Sequence, residues 1–98
     1  MATEKLTEKK VARIKDPGRF ADGRGLYLQI TPAGNRSWIL RYERDDHRPG
    51  RIGKRRERWM GLGAVADFNL TEARERARKA RQLLADGVDP LEARREER

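Results

Sequence analysis

Ninety-eight residues, 36% hydrophobic and 41% charged, form a single domain whose apolar interior must be thin. With no cysteine and one histidine (His47, a solvated loop residue among charged neighbours), disulfides, thiolate metal sites and imidazole-based triads are excluded, and no metal or cofactor is expected. No run approaches the ~20 apolar residues of a membrane helix, and no signal-peptide core opens the chain.

Thr7 to Ile14 reads as a short helix, with Thr7 as N-cap, Glu8 at the positive end of the helix dipole, and Val11 and Ile14 on one face. Pro17-Gly18 stops it, and Asp22-Gly23 with Gly25 reads as a turn. Gly25 to Pro32 then alternates as a strand, with Leu26, Leu28 and Ile30 on one side and Tyr27, Gln29 and Thr31 on the other. A second strand runs from Arg36 to about Arg44. Ala33-Gly34-Asn35 forms a three-residue hairpin loop, which sets Ile30 opposite Trp38, Leu28 opposite Leu40 and Leu26 opposite Tyr42. A two-residue turn would put Leu28 against Arg41, so the three-residue register is preferred. A third strand, roughly Arg56 to Leu62, places Met60 and Leu62 on the apolar face and Glu57 and Trp59 on the other.

Asn69 or Thr71 caps a longer helix that runs to about Asp86 and ends at Gly87. Leu70, Ala73, Ala77, Ala80, Leu83 and Leu84 make its apolar stripe, while Glu72 with Arg76 and Glu75 with Lys79 form supporting pairs on its solvated side. Asp89-Pro90 starts another helical segment, and Glu92 to Arg98 finds no apolar partner face. The fold class is therefore α+β: a three-stranded antiparallel sheet packed on one face by a C-terminal helix, plus a short N-terminal helix. Residues 1–88 make the domain and 89–98 the start of a connection.

Charge points to the partner. The formal net charge is +8, and residues 59–98 are neutral, with eight basic and eight acidic groups. Half the excess lies in residues 44–58, where seven Lys and Arg outnumber three Asp and Glu. A local cationic surplus of this kind suits a polyphosphate. It adjoins a sheet face that one helix cannot cover. Tyr27, Gln29, Thr31, Ile39, Arg41 and Trp59 on that face are the base-facing candidates, and Arg48, Arg51, Lys54, Arg55 and Arg56 the phosphate-binding ones. An ordinary solvated sheet would share the parity, but the neighbouring cations favour nucleic acid. RNA is an alternative, with Tyr27 and Trp59 stacking unpaired bases. Catalysis has little support: Asp45-Asp46 lacks a nucleophile beside a base, and Asp22-Gly23-Arg24-Gly25 precedes a strand rather than a helix, the wrong context for a phosphate cradle.

The series Asp22-Gly23-Arg24-Gly25-Leu26-Tyr27-Leu28, Pro32-x-Gly34, Trp38, Arg41-Tyr42, Leu62-Gly63, Leu70-x-x-Ala73-Arg74 and Gly87-x-Asp89-Pro90 resembles the arm-type DNA-binding domain of prophage tyrosine-recombinase integrases. The resemblance covers roughly Leu6 to Pro90. It implies a three-stranded sheet entering the major groove of arm-type sites that flank the crossover region, in support of integration and recombination. It also implies that strand cleavage belongs to a later catalytic domain, so neither Tyr27 nor Tyr42 is the nucleophile, and the tail from Asp89 leads towards a core-binding domain. The implied partners are double-stranded DNA and other integrase subunits, without membrane, small-molecule substrate or cofactor, in the bacterial cytoplasm on nucleoid DNA. A docking module using the alanine-rich helix is the remaining alternative. Two features depart from the family pattern: the long basic stretch from Arg44 to Arg55, and Ala64-Val65-Ala66 in place of an aromatic-proline turn.

Overall fold

The computed structural model describes residues 5–45, 49–50 and 53–96. The elements are α1 (Glu8–Arg13), β1 (Gly18–Gly23), β2 (Leu26–Ile30), β3 (Arg36–Asp45), β4 (Arg55–Ala64), α2 (Leu70–Ala85) and α3 (Pro90–Glu96). The strands make one antiparallel sheet in the order β1-β2-β3-β4. The sheet thus has four strands, not the expected three. The extra strand is β1, which pairs Arg19 with Gln29, Phe20 with Leu28 and Ala21 with Tyr27. Its ends, Pro17-Gly18 and Asp22-Gly23, carry turn chemistry, and Phe20 is its one large apolar residue. Pairing needs only backbone donors and acceptors, which the free edge of β2 supplies.

The β2–β3 loop has three residues, but they are Pro32-Ala33-Gly34, one position earlier than expected. Thr31 N–H donates to Asn35 O at 2.9 Å and Gly34 N–H to Thr31 O at 2.8 Å, while the Thr31 hydroxyl accepts from Asn35 N–H at 3.1 Å. Gly34, at φ +88°, supplies the left-handed third position that this loop requires. The register shifts accordingly, with Ile30 opposite Arg36, Leu28 opposite Trp38 and Leu26 opposite Leu40. A shift of two residues conserves parity, so each side chain keeps its expected face.

One buried cluster joins Leu26, Leu28, Ile30, Trp38, Leu40, Tyr42, Met60 and Leu62 of the sheet to Leu70, Ala73, Ala77 and Ala80 of α2. The small alanines let helix and sheet approach closely, and each buried leucine contributes about 2 kcal/mol. Val11 of α1 belongs to the same cluster and Leu91 of α3 packs against it, so all three helices lie on the core side.

Local chemistry sets the helix ends. Thr7 caps α1, its hydroxyl accepting from Lys10 N–H at 3.1 Å. Asn69 caps α2 in a capping box, accepting from Glu72 N–H at 2.8 Å while the Glu72 carboxylate accepts from Asn69 N–H at 3.0 Å. The next free amide, Leu70 N–H, donates to Glu8 of α1 at 2.7 Å. Glu72 is thereby committed to the cap rather than to Arg76, whose guanidinium lies 4.2 Å from the Phe68 ring centre. Glu75 pairs with Arg78 at 2.8 Å rather than with Lys79. Arg36 donates to Val11 O, and to Ile14 O at 3.2 Å, placing a cation at the negative end of α1.

Ala64-Val65-Ala66 leads into a turn locked by Phe68. Its carbonyl accepts from the Trp38 indole at 2.8 Å, and its ring fills the space at Gly63, where a Cβ would sit 2.4 Å away. Two buried carboxylates tie the ends of the chain to this frame. Asp22 accepts from Leu6 N–H at 2.9 Å and from Arg74 through Nε and Nη2, each at 2.9 Å. Asp89 accepts from the Tyr42 hydroxyl, from Arg58 Nη1 at 2.7 Å and from Leu91 N–H at 2.9 Å. Among the described residues, no helix is long and apolar enough to cross a membrane.

Candidate nucleic-acid interface

With the helices on one side, the other side of the sheet is open. Strand parity puts Arg19 of β1, Tyr27 and Gln29 of β2, Ile39, Arg41 and Glu43 of β3, and Arg55, Glu57 and Trp59 of β4 on it. The Tyr27 and Trp59 rings, from strands on either side of β3, meet edge to face with centroids 5.3 Å apart. The Arg19 guanidinium lies 4.1 Å from the Trp59 ring centre and donates through Nε to Gln29 Oε1 at 3.0 Å. Arg19, Gln29, Tyr27 and Trp59 therefore form one contiguous cationic and aromatic surface.

The base-facing candidates divide on inspection. Tyr27, Gln29 and Trp59 are half-buried and open to one side. Ile39 shares their face but is only 7% exposed, flanked in the register by Tyr27 and Gly61. At that burial its side chain offers little surface to a partner. Thr31 lies at the strand end, where its hydroxyl is engaged in the hairpin loop. Arg41 stands at the centre of a charge cluster: its Nε donates to Glu57 and its Nη2 to Glu43 at 2.9 Å. These bonds to the two carboxylates raise the Arg41 pKa further.

Of the phosphate candidates, Arg48 and Arg51 lie outside the described residues. Lys54, Arg55 and Arg56 are exposed. The strands β3 and β4 continue beyond the core as a ribbon that ends with Asp45 opposite Arg55. Arg55 lies on the open face and contacts Asp45 at 3.3 Å and Glu43 at 3.6 Å. Arg56 lies on the other face, directly opposite Arg44. The ribbon thus carries cations on both faces. A two-stranded ribbon fits the roughly 12 Å width of a DNA major groove, where phosphates line both walls.

Residues 6–97 match the family described as Arm DNA-binding domain. The chain belongs to that family. The arm domain is 36% identical over 93 residues to the integrase of Shigella phage Sf6, and likewise to prophage integrase IntS of Escherichia coli K12; each match covers 92% of this chain and 22% of the relative. Against the integrase of Enterobacteria phage P4 it is 31% identical over 97 residues, covering 96% of this chain and 20% of that protein. The arm domain thus spans about a fifth of the length of these relatives, and DNA is its partner.

Two kinds of residue in the arm domain's site were not legible beforehand. Arg19 reaches the face only because β1 exists. Glu57 is on the expected face and Glu43 lies opposite it in the pairing, but their joint hold on Arg41 depends on the β3–β4 register. Tyr42 points the other way, into the core. Burial raises its pKa, and the bond to Asp89 together with that carboxylate's charge raises it further. That is the reverse of what an activated nucleophile needs.

Proposed function

We propose that the arm domain binds duplex DNA sequence-selectively by laying its open sheet face, with the β3–β4 ribbon, into the major groove of arm-type sites. The observation that carries this reading is the placement of Arg41, Gln29, Tyr27 and Trp59 together on the one face that no helix covers, beside a ribbon bearing Lys54, Arg55 and Arg56. Arginine can address guanine and glutamine adenine through bidentate contacts, while the ribbon cations hold phosphates. Gln29 and Tyr27 then read bases beside Arg41, and Thr31 extends the footprint at the end of β2; Arg48 and Arg51 are further phosphate-binding candidates by their charge.

The ring arrangement favours duplex over single-stranded RNA. Stacking unpaired bases needs free ring faces, whereas Trp59 is engaged by Tyr27 on one side and covered by Arg19 on another. Competition between a DNA duplex and a single-stranded RNA of equal length, at one salt concentration, tests the choice: the duplex should win by at least about tenfold. Preferred retention of the RNA would replace this reading.

In the longer integrase the arm domain acts as an anchor, holding the recombinase on DNA flanking the crossover region while a separate domain cuts. The segment from Asp89 onward heads the connection to the rest of that protein, in the cytoplasm on nucleoid DNA. Contacts with other integrase subunits would use the helical side, where Leu83 and Val88 are exposed.

A further inference from the structure

Two carboxylates in the middle of a DNA-facing surface need an explanation. Glu43 and Glu57 are direct cross-strand neighbours on the open face. Like charges in that position destabilise a sheet, and both would repel the phosphates of an approaching duplex. Their placement relative to Arg41 is specific. Glu57 accepts from Nε and Glu43 accepts from Nη2 at 2.9 Å, so the two together occupy the donors along one side of the guanidinium plane. The planar guanidinium has a second donor edge at its end, made by one Nη1 hydrogen and the other Nη2 hydrogen. Among the described residues no hydrogen bond engages that edge, and the Arg41 side chain is 37% exposed. Two parallel N–H groups on one edge match the O6 and N7 acceptors of guanine.

We infer that Glu43 and Glu57 are positioning residues that set specificity: they hold Arg41 by its Nε/Nη2 side and present its Nη1/Nη2 end to a guanine. The inference rests on the reading of the open face as the DNA surface. Two effects follow from the same atoms. A long, flexible side chain is pre-oriented, so less conformational freedom is lost when it meets the base. The carboxylates also place two negative charges beside the duplex in every complex, and only a complex in which Arg41 meets a guanine offsets that repulsion with a base contact. Selectivity rises while general affinity falls.

The test uses the 98-residue chain and a site selected by the unsubstituted protein from a pool of randomised duplexes. Glu43→Gln, Glu57→Gln and the double variant are measured on that site, on random duplex, and on the site with each guanine in turn replaced by 7-deazaguanine, which lacks the N7 acceptor. Glutamine keeps size and shape at these exposed positions, and thermal melts confirm folding. The double variant should bind random duplex roughly two- to fivefold more tightly, having lost two repulsive charges. Its preference for the selected site should fall about tenfold, the scale of one bidentate base contact. One 7-deazaguanine should weaken the unsubstituted protein about tenfold and the double variant hardly at all.

If the double variant gains equally on both duplexes, or if 7-deazaguanine costs both proteins the same, the carboxylates act by repulsion alone and the positioning role is wrong. If the unsubstituted protein selects no site and Arg41→Ala binds every duplex as the parent does, the open-face reading fails and takes this proposal with it.

Discussion

The Tyr42 hydroxyl donates to the Asp89 carboxylate across 47 residues of chain, joining the middle of β3 to the head of α3. Arg58 of β4 completes the arrangement from the neighbouring strand at 2.7 Å. Asp89 is 4% exposed, so its charge depends on these partners. Tyr42→Phe removes one neutral donor to a buried carboxylate that keeps its other two partners, and should cost about 1.5–2 kcal/mol. Asp89→Asn leaves the Arg58 cation without its anion and should cost more, about 2–4 kcal/mol. Urea unfolding at pH 7 of the two variants checks the order; equal costs would show that the ion pair adds nothing to the hydrogen bond.

Acid should act on the same ties. For Asp22, burial pushes the pKa up, but the bonds from Arg74 and Leu6 N–H and the Arg74 charge hold it below the ordinary 3.8. For Asp89, burial again opposes, and the bonds from Tyr42 and Leu91 N–H with the Arg58 charge outweigh it. A carboxyl whose pKa is lower folded than unfolded stabilises the fold above the unfolded value and loses that contribution as pH drops through the folded one. Stability should therefore be level from pH 7 to about 5 and fall below about pH 4. Asp22→Asn and Asp89→Asn should each be less stable at pH 7 and show a flatter acid limb, measured by urea midpoints across that range.

Backbone approach at Gly25 gives a separate test. Gly25 has φ +88°, its carbonyl accepts from Arg41 N–H at 2.7 Å, and a Cβ there would lie 2.4 Å from Arg41 O. Gly34 has the same φ of +88° with nothing within 4 Å of a Cβ. Gly34→Ala should cost about 1 kcal/mol from backbone strain alone, and Gly25→Ala at least about 1–2 kcal/mol more. Thermal melts of the pair isolate the close contact between the β1–β2 turn and β3.

Phosphate and base contacts should separate by salt and by sequence. Arg55→Ala should weaken binding to all duplexes and reduce the slope of log K against log salt by about 1. Arg41→Ala should instead remove about 1–3 kcal/mol of preference for the selected site over random duplex. Fluorescence anisotropy at three salt concentrations measures both. A uniform loss for Arg41→Ala would make it another phosphate contact.

Much of this was readable from local signals. Thr7 and Asn69 announce helix starts by side-chain chemistry that acts within four residues, and the apolar alternation of Leu26 to Ile30 and Trp38 to Tyr42 is set by the strand's two-residue period. The hairpin loop slipped by one position, yet the open face survived because the register moved by two. What stayed hidden depends on distant partners. β1 has little side-chain pattern and exists through backbone pairing with β2. Asp22 and Asp89 looked like turn and cap residues, and only the assembled fold brings Arg74 and Arg58 to them. The hold of Glu43 and Glu57 on Arg41 needs a particular β3–β4 register, and Pro49-Gly50 and Gly53 mark turns without fixing which residues pair across so long a connection.

Backbone amide shifts during titration of the 98-residue chain with its selected duplex address the central claim most directly. Perturbations should gather at Arg19, Tyr27, Gln29, Arg41, Trp59 and the ribbon through Arg55, while Ala73, Ala77 and Ala80 of α2 stay still. Saturable shifts concentrated on α2, with Tyr27, Gln29 and Arg41 unmoved, would contradict the account.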